Sequence, residues 1–325
     1  MIREQWYVVL ESGEVGREPA AAIRMGEKLV FWRDSSGAVH CHQDRCAHRG
    51  VQLSAGRVVG DRIRCPFHGL EYDGRGRCRL IPANGRAAAV PERFRVRSYP
   101  THEDHGYIWV FWGSEASSPS PPAFFTDLGP ELSYGSVQDP WPIHYSRVIE
   151  NQLDVAHLPF VHADTIGRGG RTLVDGPVVR WLDDNAFQVY VFNRRDDGGP
   201  ARKPQEIRVD PPPEFHLEFR FPNLWQNHIS ANVRVTAAFV PVDEESTLLY
   251  LRFYQSFVRL PVLRDLVCRL AMPYNLKIAH QDRRVVRTQT PKRSDLRIGE
   301  QLFQADHPIV AYRRRRQELM EKAGG

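Results

Sequence analysis

Cys46-Ala-His48 and Cys65-Pro-Phe-His68 each set a thiol and an imidazole in a short, tight stretch of chain. Gly50 and Gly69 follow the two histidines, where such loops must bend back and where glycine bends at no steric cost. Two thiolates and two imidazoles delivered this way form the donor set of a mixed-ligand [2Fe-2S] cluster, with both sulfurs on one iron and both imidazoles on the other. The same four groups would also satisfy a tetrahedral structural zinc ion. The first option moves single electrons; the second only braces the fold.

A second constellation lies in Glu150-Asn-Gln-Leu-Asp154-Val-Ala-His157-Leu-Pro-Phe-Val-His162. Asn151, Asp154 and His157 recur at every third position, which predicts one face of a helix over about 145–156. Pro159 is expected to end that helix, leaving His162 free to swing back toward a metal held by His157. Two histidines on a buried segment also serve structure alone, so a third ligand decides. Two histidines and one carboxylate hold Fe(II) with open positions for O2 and substrate. The candidate carboxylate is Asp282, in IAHQDRRVVRTQTP.

The elements that must position these residues follow from pattern. The length of 325 residues suits two domains. From Trp6 to Trp112 the runs WYVVL, KLVFWR, AVHCH, RIRC, FRVRSY and YIWVFW are β-branched and aromatic, predicting a small all-β domain over 1–115 that carries the cluster loops. EASSPSPP marks a boundary, with 116–140 read as linker and lead-in. A second domain over 141–325 contains VVRWL, FQVYVF, FHLEFRF, VRVTAAFV and TLLYLRFYQSF, consistent with one large antiparallel sheet. Helices are expected at about 145–156, at 261–286 with a break near Pro273, and from His307 onward. The fold class is α+β.

Composition narrows the partners. The net charge is +5, and Arg313 to Arg316 form a basic run. That run sits in HPIVAYRRRRQELM and reads as the solvated face of a terminal helix rather than a nucleic-acid footprint. A basic surface would equally receive an acidic redox partner. Cys41, Cys78 and Cys268 remain outside the cluster, an odd number without a disulfide framework, which points to a reducing cytoplasm. No stretch reads as a signal peptide or a membrane span, so a soluble protein is expected.

CAHRG and CPFHG resemble the Rieske domain of ring-hydroxylating oxygenases. With them, N-x-x-D-x-x-H-x4-H and the later Q-D-x-x-V-V make the whole chain similar to Rieske non-haem iron oxygenases. The resemblance is to the homotrimeric single-subunit type that includes dicamba and vanillate demethylases and saxitoxin-pathway hydroxylases. It implies a helix-grip-like catalytic domain, a [2Fe-2S] cluster on Cys46, His48, Cys65 and His68, and a mononuclear Fe(II) on His157, His162 and Asp282. It further implies that Asp154 bridges a cluster histidine of one subunit to an iron-ligating histidine of the next, with a reductase or ferredoxin as electron donor. Asn151 is either beside the metal or a helix-packing residue. Respiratory-type clusters have extra cysteines and a serine where this chain has Val51, Phe67 and Leu70, so a potential at the low end of the range is expected.

The activity implied is O2-dependent hydroxylation or oxidative demethylation of a small, cyclic or aromatic substrate. A Rieske electron-transfer or regulatory protein without turnover is the alternative. FPNLWQNHISANV offers Asn227 and His228 as substrate contacts, although neighbouring strand residues face opposite sides, so only one can point inward. The segment from Gly198 to Pro213 is expected to be a mobile loop over the entrance.

Overall fold

The computed structural model describes residues 1–114 and 120–324, so Glu115 to Pro119, the start of the Ser- and Pro-rich stretch, lies outside the described residues. The chain forms two compact units, Met1–Phe124 and Phe125–Gly325. Among the described residues no helix is long and apolar enough to cross a membrane.

The first unit is all β. Its strands are β1 (Gln5–Glu11), β2 (Ala20–Arg24), β3 (Glu27–Arg33), β4 (Val39–Gln43), β5 (Arg57–Val59), β6 (Arg62–Arg64), β7 (Glu71–Tyr72), β8 (Cys78–Leu80), β9 (Ser98–Tyr99), β10 (Thr101–Asp104) and β11 (Tyr107–Trp112). They make three antiparallel sheets, ordered β1-β11-β10, β2-β3-β4-β9 and β5-β6-β7-β8. The first cysteine loop leaves β4 and enters β5; the second closes the β6–β7 pair. Both stand over one core, in which Cys46 and Cys65 are buried with Val30, Leu53, Ile63, Leu70 and Tyr72. That core anchors the thiol end of each loop and leaves the imidazole end in solvent.

The second unit is built on a seven-stranded antiparallel sheet: β12 (Ser133–Trp141), β13 (Leu173–Asp183), β14 (Ala186–Arg194), β15 (His216–Arg220), β16 (Leu224–Ser230), β17 (Val233–Pro241) and β18 (Thr247–Gln255). The strand order is β12-β18-β17-β16-β15-β14-β13. Turn chemistry sets the hairpins: Asp183 accepts the Asn185 amide between β13 and β14, and Asp243 accepts the Ser246 amide between β17 and β18. Among the described residues four α-helices accompany the sheet, α1 (Tyr145–Leu153), α2 (Leu158–Val161), α3 (Pro261–Val286) and α4 (His307–Gly324).

The helices depart from expectation in four places. α1 stops at Leu153, and Asp154 caps it in an extended conformation, its amide still bonded to the Glu150 carbonyl. Pro159 does not end that helix; it sits in the first turn of α2, where its missing N–H costs nothing. α3 runs through Pro273 without a break. In α4, Arg313 and Arg316 are buried, at 4% and 3% exposure, and only part of the basic run faces water.

Candidate active site

The two cysteine loops share one backbone design. The Cys46 amide donates to the Val51 carbonyl and the Gly50 amide to the Cys46 carbonyl; Cys65, Leu70 and Gly69 repeat the pattern. Gly50 and Gly69 take φ of +73° and +72°, the left-handed turn that brings the chain back under its own cysteine. Asp44 holds the first loop by accepting the Ser54 amide and hydroxyl. His48 and His68 stand side by side on the surface, ring centroids 4.7 Å apart. Burial pushes the Cys65 thiol up and adjacent Cys46 pushes it further, while the Phe67 and His68 amides pull it down.

The spread of these donors separates the two metal readings. A tetrahedral zinc with bonds of about 2.0–2.3 Å would draw its ligand atoms to about 3.3–3.8 Å of one another. Among the described residues, three or more His, Cys, Asp or Glu donors lie within 4.8 Å of one another only at His157, His162 and Asp282. The four loop residues do not gather on a single point in this way, and two thiols with two imidazoles fit the donor set of the cluster.

In the second unit, His157 comes from the link between α1 and α2, His162 from the C-cap of α2, and Asp282 from the buried face of α3. Asp282 Oδ1 lies 3.3 Å from His157 Nε2 and 2.9 Å from His162 Nε2. It is buried without a hydrogen-bond partner, as is His157 Nδ1. A buried carboxylate oxygen converging with two imidazole nitrogens, and otherwise unsatisfied, is the arrangement a cation completes. Burial raises the Asp282 carboxyl, but the two imidazoles outweigh it and bring it to about 2. Burial lowers the His157 imidazole, yet Asp154 and Asp282 carry it up to about 9.

Around these three, Gln281 was not assigned a role by the sequence. Its Oε1 accepts from His162 Nδ1 at 2.8 Å and from the Thr165 hydroxyl at 2.8 Å, and its Nε2 donates to Asp164. A proton fixed on Nδ1 leaves His162 Nε2 with its lone pair toward Asp282. Gln152 Nε2 donates to Asp282 Oδ2 at 3.4 Å. Asp154 Oδ2 stands 3.6 Å from His157 Nδ1, longer than a hydrogen bond, and its other oxygen accepts the Ala156 amide.

A cavity of about 650 Å³ lies between the sheet and these helices, with His157, His162 and Asp282 in its lining. The period of two along β16 sorts the substrate candidates: Trp225, Asn227 and Ile229 line the cavity. His228 does not; it faces the other side, stacked on His216 with centroids 4.5 Å apart and 3.7 Å from Asp127. Asn151 Nδ2, Trp225 Nε1 and Asn227 Oδ1 are buried without hydrogen-bond partners, and all three residues line the cavity. Within the segment expected to cover the entrance, Arg202 donates to Asp175 and its carbonyl accepts from Gly176 and Gln304.

Comparison with known proteins follows the same division. Residues 5–100 match the family described as Rieske [2Fe-2S] domain, and residues 141–322 match the vanillate O-demethylase oxygenase C-terminal domain. The chain is 27% identical to methylxanthine N1-demethylase NdmA of Pseudomonas putida, over 98% of this chain and 90% of that protein. It is 34% identical to chlorophyllide a oxygenase of Chlamydomonas reinhardtii over 52% of this chain, which is 26% of that protein. The chain also spans 53% of a 4beta-methylsterol monooxygenase from Methylococcus capsulatus, so several such relatives extend well beyond the matched part. In three dimensions it is similar to Pseudomonas putida CBB5 NdmA, with a TM-score of 0.79 and 24% identity over 98% of this chain and 91% of that one.

Proposed function

We propose, from the premise that this chain belongs to the Rieske oxygenases with a vanillate O-demethylase-type catalytic domain, that it is a terminal oxygenase hydroxylating or demethylating a small cyclic or aromatic substrate. The observation that carries this reading is the convergence of His157, His162 and Asp282 on one point in the lining of the cavity. Cys46, His48, Cys65 and His68 would hold the cluster and these three the mononuclear iron; together the metals supply reductive activation of O2. The net reaction takes a C–H bond, O2, two electrons and two protons to C–OH and water. Where the carbon is a methyl on oxygen or nitrogen, the hydroxymethyl product loses formaldehyde.

The chain's own residues prepare that chemistry. Gln281 fixes the tautomer of His162, and Gln152 steadies the Asp282 carboxylate. Val191, Leu217, Val235, Ala237, Leu249 and Leu251 give the cavity an apolar wall that excludes water from a ring-sized substrate. Unpartnered Asn227 and Trp225 on that wall suit a hydrogen-bonding substituent, with Asn151 also in the lining. Asp154 is assigned the electron bridge to a cluster histidine of a neighbouring copy in a homotrimer, supported by its place beside His157. A ferredoxin or reductase would supply the electrons.

A substrate panel of methoxylated, N-methylated and unsubstituted rings tests this, using a surrogate reductase and following new hydroxyl groups and formaldehyde together. Product formation dependent on O2 and on Asp282 is expected. Turnover that persists in Asp282→Ala would overturn the assignment.

A further inference from the structure

α3 is apolar on two sides. Cys268, Met272 and Ala279 recur at helical spacing and form its buried seam. That seam lies against β12: Cys268 Sγ reaches the Ser133 carbonyl, and a Cβ at Gly135 would come within 2.6 Å of the Cys268 carbonyl oxygen. A helix docked by one seam is expected to carry polar groups on the side turned to water. Instead Val262, Leu263, Leu266, Leu270 and Tyr274 share a second arc of about 120° on the helical wheel. All five are exposed, Val262 at 81% and Leu270 at 69%, and exposed Phe257 and Leu260 continue the stripe ahead of the helix. Among the described residues, seven of the nineteen exposed large apolar side chains thus fall within 257–274.

So concentrated an apolar stripe marks a surface that something covers, and the charges beside it select the cover. Arg259, Arg264 and Arg269 interrupt the stretch, and Asp265 is its one acid between Phe257 and Tyr274. A second copy laid on the stripe would set the same positive excess against itself, whereas an anionic lipid surface meets it with the opposite sign. Arginine stems lie along apolar surface while their guanidinium groups reach the phosphates, and leucines and aromatics beside arginines suit a helix lying in the plane of a membrane interface. We propose that the first half of α3 is a membrane-surface anchor, with Leu263, Leu266, Leu270 and Tyr274 entering the acyl boundary of an anionic phospholipid bilayer and Arg259 and Arg269 meeting its headgroups. Asp282 stands about 140° from the middle of the stripe on the same wheel, so the face that enters lipid is not the face that holds the metal site. The inference rests on neither metal assignment.

The test is flotation of the purified full chain with vesicles of equal parts phosphatidylglycerol and phosphatidylcholine, against vesicles of phosphatidylcholine alone. Wild-type protein is expected to float with the anionic vesicles and to bind the zwitterionic ones about thirtyfold more weakly, as two interfacial arginines imply. Arg259→Gln/Arg269→Gln should lose that same factor on anionic vesicles and little on the others. Leu266→Gln/Leu270→Gln, which leaves the charge unchanged, should lose about a hundredfold on both. All four positions are exposed, so denaturant midpoints should stay at the wild-type value. Wild-type protein that floats with neither vesicle overturns the proposal. A smaller sedimenting mass in the leucine variant, with no vesicle binding by the wild type, assigns the stripe to a second copy instead. Anionic-vesicle binding that either folded variant retains in full also overturns it, and the arginine variant decides alone if the leucine variant does not fold.

Discussion

Gln281 orients a histidine through a single oxygen, and removing that oxygen is informative because the three metal-facing residues stay in place. In Gln281→Leu the His162 ring loses the acceptor at Nδ1 and is free to change tautomer. Affinity for the mononuclear iron is expected to fall about 10–100-fold, the range seen when a group behind a metal ligand is lost. Equilibrium dialysis against a competing chelator, with the cluster absorbance as internal control, measures it. The residue was invisible as a partner of His162 because more than a hundred positions separate them; only its neighbour Asp282 had a chemistry that demanded a place. Asn227 and His228 show a related limit. Strand alternation allowed at most one to face inward, and the choice needed the register of β16 against β17.

At the scale of elements, α4 is fastened to α1 by charge rather than by apolar packing alone. Arg313 Nε meets Glu150 Oε1 at 2.6 Å, Arg147 Nη1 meets Glu150 Oε2 at 2.9 Å, and Glu300 accepts from both arginines. All but Glu300 are buried. Arg313→Met is expected to cost about 3 kcal/mol, the low end for breaking a buried ion pair, because Arg147 still partners Glu150. Arg314→Ala, one residue along on the exposed side, should stay within about 0.5 kcal/mol. Denaturant midpoints of the two variants give the comparison. Composition alone reads four consecutive arginines as a solvated face; the acid that pairs with buried Arg313 lies in another helix, and buried Arg316 donates to the Tyr145 hydroxyl, the Ser294 carbonyl and Asp295. Strands were more legible, since alternation and β-branched content are local properties, whereas the early stop of α1 and the uninterrupted α3 depend on what packs around Asp154 and Pro273.

At the scale of the whole molecule, two buried histidines outside the metal positions make stability depend on acidity. Burial brings His42 down to about 4, against a weaker opposing bond from the Gly74 carbonyl, and burial with nearby Arg316 and Arg293 brings His144 to about 3. Both are neutral in the folded chain, while the unfolded chain binds protons at about 6.5. Their contribution is complete above pH 6.5 and is lost as pH falls from there toward 4, about tenfold in the folding equilibrium per unit for each group. Denaturant midpoints measured from pH 7 to 5 should decline, and the decline should be shallower in His42→Gln. Across subunits, Asp154→Asn and Cys46→Ala should each be inactive alone. If the chain assembles as the proposed homotrimer, mixed trimers of verified mass should regain activity, since one interface then joins an intact cluster to an intact bridge; mixed trimers as inactive as the parents would remove Asp154 from the electron path.

The most direct test of the oxygenase assignment is the metal content of the anaerobically purified chain. Three irons and two acid-labile sulfides per chain are predicted, falling to two irons and two sulfides in Asp282→Ala with an unchanged Rieske EPR signal. Two irons in the wild type, or an iron count that Asp282→Ala leaves untouched, would contradict it.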